Sequence, residues 1–250
     1  MQKKDLYGYY AFGYNYHLLR SEGAMGRTGA EAIGVINRFI ESLTELELQV
    51  TRKIAEGLIT VSQQIKKDSI EKIDQVHANK IRDEIEKLDP ALDAELQLKT
   101  AYILTKKRYS LESLLSKPEE LLASGAYSSL TDTSKRDYQL ACTQIALSQP
   151  TAAAFHLMRM LEEQVRVLYY SFKKTNRLDN PVWGQITRQL REKRAPKPSI
   201  KILDHLDSMR IHFRNPTQHP DTFYSIDEAQ DLLNQTITAV NMIASELPIC

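Results

Sequence analysis

Apolar residues recur three or four positions apart through most of the chain, the period of an amphipathic helix. From about Ala30 to Lys67, the residues Ile36, Ile40, Leu43, Leu46, Val50, Ile54, Leu58, Val61 and Ile65 form one stripe. It predicts one long helix, or two broken near Gly57. Ile70, Ile73, His77, Ile81, Ile85 and Leu88 keep the same period up to Asp89-Pro90, where the proline is expected to stop the helix. These stretches are expected to pair as an antiparallel hairpin with near-coiled-coil packing. Residues 95–109 fit a helix and leave room for a short strand at 96–104, where Leu96, Leu98, Thr100 and Tyr102 alternate.

The second half predicts five shorter helices. The first spans about Ser134 to Ser148, with Tyr138, Ala141, Cys142 and Ile145 inward. The second follows Pro150, a residue tolerated in a first helical turn, and turns Ala154, Leu157, Met158, Leu161, Val165, Leu168 and Phe172 to the core. The third runs from about Pro181 to Arg194 with Val182, Trp183, Ile186 and Leu190 inward. The fourth covers about Ser199 to Phe213, with Leu203, Leu206, Met209 and Phe213 inward. The fifth opens at Ser225-Ile-Asp-Glu228, a capping-box pattern. The expected fold is all-α. An N-terminal helical region at residues 30–125 is joined by a Ser/Thr-rich linker to a helical bundle at residues 132–250. Ahead of both, residues 1–29 read as an aromatic and glycine-rich arm. Its tyrosines, from Tyr7 to Tyr16, suit a strap over the chain's own core, a partner-docking arm or a base-stacking surface.

Composition narrows the functional classes. The net charge is +1, so affinity for nucleic acid must come from a local patch. Cys142 and Cys250 form no C-x-x-C and no disulfide framework, which predicts reduced thiols and a cytoplasmic protein. The start, Met1-Gln-Lys-Lys-Asp, reads as neither signal peptide nor membrane anchor, and no membrane association is expected. There is no glycine-rich phosphate loop, no Gly-x-Ser-x-Gly and no paired Cys/His pattern, so neither a cofactor nor a metal is expected. His205 and His212 share a helix face without nearby carboxylates at ligand spacing.

The chemistry-bearing stretch is Arg214-Asn215-Pro216-Thr217-Gln218-His219. Histidine is the side chain whose unperturbed pKa lies near working pH, so His219 is the residue here suited to acid–base work. The Arg214 fork matches phosphate oxygens. Asn215 can orient the imidazole or a phosphate oxygen, and Pro216 stiffens the loop. A plainer reading has Arg214 capping the preceding helix and His219 bonded to a loop carbonyl. Arg188, Arg191, Lys193, Arg194, Lys197 and Lys201 form the densest basic run, a candidate RNA-backbone patch or a solvated helix end. On the second bundle helix, Arg159–Glu163 and Glu162–Arg166 have the spacing of i,i+4 ion pairs.

With the helices around it, residues 132–248 resemble the HEPN family, small helical bundles with an Arg, a polar residue next to it, and a His after four to six intervening residues. Arg214, Asn215 and His219 match that motif. The segment Thr151-Ala-Ala-Ala-Phe-His-Leu-Met-Arg-Met-Leu-Glu-Glu163 looks like the family's inward helix, and Tyr224-Ser-Ile-Asp-Glu-Ala229 like its last-helix junction. The resemblance implies a metal-independent endoribonuclease with a composite site across a homodimer. It also implies RNA as substrate, a role in anti-phage defence or toxin–antitoxin pairing, and an antitoxin or sensor as partner. It makes Arg159 and Glu162 the candidates for a polar side chain facing the motif. Other members have lost activity, so the alternative is a non-catalytic dimer that binds nucleotide, RNA or a protein. Residues 1–125 carry no such resemblance.

Overall fold

The computed structural model describes residues 6–65 and 71–247. Among them the fold is all-α, and the sole β pairing is an isolated bridge between Thr28 and Lys72. Met1–Asp5, the expected helix end at Lys67, Ile70 and Cys250 lie outside the described residues. The chain divides into two compact units, Met1–Tyr102 and Ile103–Cys250.

The first unit holds α1 (Leu6–His17), α2 (Gly29–Glu45), α3 (Gln49–Ile54), α4 (Glu56–Gln64) and α5 (Gln75–Gln97). The aromatic stretch of the expected arm is helical. Phe12 of α1 is buried and stacks on Phe39 of α2 with ring centroids 5.4 Å apart. A π-helical turn, Leu18–Glu22, ends at Gly23 with φ +55°. A Cβ there would stand 2.1 Å from the Ala78 carbonyl oxygen, so only glycine fits. Thr28 and Glu31 then form a capping box that starts α2.

The long stripe is broken differently from its periodicity. The chain turns at Leu46–Leu48, where Glu47 has φ +56°, and again at Ala55, while Gly57 lies inside α4. The extra turn shifts the phase, which leaves Val50 and Ile54 exposed although they continue the stripe. Pro90 does not stop α5. The helix loses one backbone bond there, but contacts on both sides hold it. Tyr16 donates to Asp89 at 2.6 Å, Leu92 is buried, and Glu95 accepts from the amides of Val50 and Thr51 at 3.0 and 2.8 Å. After Gln97 the backbone is irregular, and Leu98, Tyr102 and Ile103 are exposed, so no strand forms at 96–104.

The second unit begins earlier than expected. Leu114, Leu122, Ala126 and Leu130 share one core with Tyr138, Leu157 and Leu233, so residues 103–131 belong to this unit and are not a free linker. Its helices are α6 (Leu111–Leu115), α7 (Asp132–Ala146), α8 (Pro150–Phe172), α9 (Trp183–Glu192), α10 (Ile200–Met209), α11 (Asn215–Thr217) and α12 (Ile226–Glu246). Packed between α7 and α12, α8 is the central helix. Its predicted inward face is buried through Leu168, and Phe172 packs at the edge. Val182 lies outside α9, on the residue before it, and is exposed.

Candidate functional site

α10 does not end at a cap. It passes into a π-helical turn, Arg210–Arg214, and directly into the short α11. Such π turns recur at functional sites because they re-aim side chains. Here the turn aims Arg214 at α8. Glu162 accepts from Arg214 Nε at 3.2 Å and from Nη2 at 3.2 Å, and from Arg166 Nη2 at 3.3 Å. The Glu162 and Arg214 side chains are 17% and 28% exposed, so the pair is partly withdrawn from water. Arg214 is therefore held by a carboxylate and not by helix-end carbonyls.

The backbone beyond Arg214 is wound into consecutive turns. Gln218 N donates to Asn215 O at 3.1 Å, His219 N to Pro216 O at 2.8 Å, and Thr222 N to His219 O at 3.2 Å. Thr217 is buried and its hydroxyl donates to Phe213 O at 2.6 Å and lies 2.7 Å from the Tyr224 hydroxyl. Tyr224 N donates to Thr151 Oγ1 at 3.2 Å, which fastens the end of the loop to the start of α8. Ser225 and Glu228 form the expected capping box for α12. Asn215 and His219 are exposed, and among the described residues neither side chain has a hydrogen-bond partner. The arrangement thus offers an anchored guanidinium, an exposed carboxamide and an unengaged imidazole on one short segment.

Arg159 is turned elsewhere. Its Nε donates to Asp137 Oδ2 of α7 at 2.6 Å, its Nη2 donates to Oδ1, and His156 Nδ1 lies 3.0 Å from Oδ1. Asp137 is almost wholly buried. Burial pushes its carboxyl up, but the Arg159 and His156 bonds outweigh that and hold it below the usual carboxylate range. This cluster fastens α7 to α8. Of the two α8 candidates, only Glu162 meets the motif.

The basic run is also divided. Arg191 bridges α9 and α10 through Asp204 at 2.7 Å and Asp207 at 2.8 Å. Lys197 donates to Arg191 O at 3.2 Å and Lys193 to Pro196 O at 2.7 Å. Arg188 and Arg194 are exposed, and their side chains make no contact of this kind among the described residues. A groove of about 310 Å³ beside this run includes Lys173 and Lys174 in its lining. His205 Nε2 lies 3.2 Å from Gln235 O, a distance at which the ring N–H donates. Cys142 is buried, which pushes its thiol up to about 12 and removes it as a nucleophile.

Sequence reasoning missed Asp137, Thr217 and the Tyr224 hydroxyl as parts of this architecture. The Thr217 signal was its position four residues after Phe213, where a hydroxyl can bond back to a helix carbonyl. Among the described residues no helix is long and apolar enough to cross a membrane, and no group of three His, Cys, Asp or Glu side chains is placed to hold a metal. Comparison of the chain with protein-family models, curated proteins and solved structures finds no match.

Proposed function

We propose that the second unit is a metal-independent endoribonuclease of HEPN type, working as a homodimer in bacterial defence or as a toxin in the cytoplasm. The observation that carries the reading is the pairing of an Arg214 anchored by Glu162 with an exposed, unengaged His219 five residues on. His219 takes the proton of a ribose 2′-hydroxyl. The 2′-oxygen forms a bond to phosphorus as the bond to the 5′-oxygen breaks. Arg214 offsets the charge that builds on the phosphoryl oxygens, and Asn215 orients the ring or the phosphate. An acid must protonate the departing 5′-oxygen, and the His219 of a second copy supplies it. The products are a 2′,3′-cyclic phosphate and a 5′-hydroxyl. Arg188, Arg194 and Lys201 are the exposed basic side chains of the run left to meet the RNA backbone, with an antitoxin or sensor protein as regulator.

A second reading, a non-catalytic binding module, is favoured by the same Glu162, which offsets part of the Arg214 charge. The discriminating experiment uses an RNA oligonucleotide and its counterpart with 2′-deoxyribose at every position. Cleavage of the RNA to cyclic-phosphate ends, with the deoxy strand intact, supports the ribonuclease. Binding of RNA without cleavage by a verified dimer supports the binding module.

A further inference from the structure

Arg214 and His219 can act together only if the loop between them keeps its shape, and the side chains that shape it are neither of these two. The Phe213 carbonyl immediately precedes Arg214. It accepts from Thr217 Oγ1 at 2.6 Å and from the Tyr224 hydroxyl at 3.4 Å, and those two hydroxyls lie 2.7 Å apart. Three groups spread over residues 213–224 thus close a ring whose perimeter carries Arg214 on one side and His219 on the other. Thr217, one of the three, is buried. Tyr224 is anchored in turn, since its amide donates to Thr151 of α8, the helix that also holds Arg214 through Glu162. The Arg214 guanidinium and the backbone of the loop that carries His219 are therefore tied to the same helix by two separate routes.

We infer that Thr217 and Tyr224 are positioning residues that fix the spacing between Arg214 and His219. The inference rests on the ribonuclease reading for its purpose, while the geometry it describes is tested without RNA. Preorganised geometry is worth most where the reacting groups must be held within a fraction of an ångström. A hydroxyl–hydroxyl–carbonyl ring supplies that at a buried point, where unmade bonds are costly.

The test compares the full-length chain with Tyr224→Phe, Thr217→Val and Thr217→Ser. Amide hydrogen exchange is the first readout. In Tyr224→Phe and Thr217→Val the hydrogen-bonded amides of Gln218, His219 and Thr222 are expected to exchange about tenfold faster, with α8 and α12 unchanged, and Thr217→Ser restores the wild-type rate. On RNA, kcat falls about tenfold in the first two variants with KM held and the shape of the pH profile kept. Unchanged loop exchange in both variants overturns the inference. So does faster exchange spread equally over α8 and α12, which marks general loosening. If the wild type cleaves no RNA, the ribonuclease reading fails, and the exchange comparison still decides whether the ring holds the loop.

Discussion

Glu162 on α8 receives the guanidinium of Arg214 through two nitrogens at 3.2 Å, although 52 residues separate them. The contact fixes the first residue of the motif to the central helix of its unit. It also sets two opposing demands on Glu162, which must hold Arg214 in place without cancelling the charge a phosphate would seek.

Replacing Glu162 separates those demands. Glu162→Ala leaves Arg214 and Arg166 without their shared acceptor and is expected to cost about 1 kcal/mol of stability, since the pair is only partly buried. Glu162→Gln keeps one acceptor oxygen and is expected to lose less. Urea titration of both variants measures the difference. If neither differs from wild type, Glu162 does not anchor Arg214.

Asp137 predicts a pH dependence. Its folded-state carboxyl titrates lower than in the unfolded chain. The stability it contributes is thus present above the unfolded value of about 3.9 and lost as pH falls through the lower folded value. Asp137→Asn is expected to cost about 3 kcal/mol at pH 7, because Arg159 and His156 lose a buried ionic partner. The gap between wild type and variant should narrow as pH drops below about 4. A gap that stays constant from pH 7 to pH 3 contradicts the assignment.

Gly23 of the first unit stands directly against the backbone of Ala78. Gly23→Ala adds a methyl group that meets the Ala78 carbonyl in a left-handed backbone conformation, and neither can shift freely. A loss of about 2–4 kcal/mol is expected, read as a lower melting temperature. Gly26→Ala, also at positive φ but with open space around it, should cost about 1 kcal/mol.

Much of the second unit was legible in the chain because its helices carry their own signals. Ser225 and Glu228 mark one start, Pro150 another, and the buried stripe of α8 keeps its period from Ala154 to Leu168. What escaped depends on tertiary contacts. Pro90 stays inside α5 because Tyr16 and Glu95 hold its two sides, and neither contact leaves a local trace. Arg159 reads as a partner of Glu163 along the helix, but the buried Asp137 of α7 offers it a stronger bond. Glu162 was identifiable as a partner for the motif, whereas the π turn that aims Arg214 at it has no sequence code. The alternation at Leu96, Leu98 and Tyr102 suggested a strand, yet a strand needs a neighbour to pair with, and those residues face solvent.

The central claim is that Arg214 and His219 together cleave RNA without a metal, and the most direct test is cleavage in EDTA by three purified chains. Wild type should cut single-stranded RNA to cyclic-phosphate ends. His219→Ala and Arg214→Ala, each shown folded by circular dichroism, should lose at least about a hundredfold in rate. Cleavage that persists in His219→Ala at the wild-type rate would contradict the claim and place any nuclease activity elsewhere in the chain.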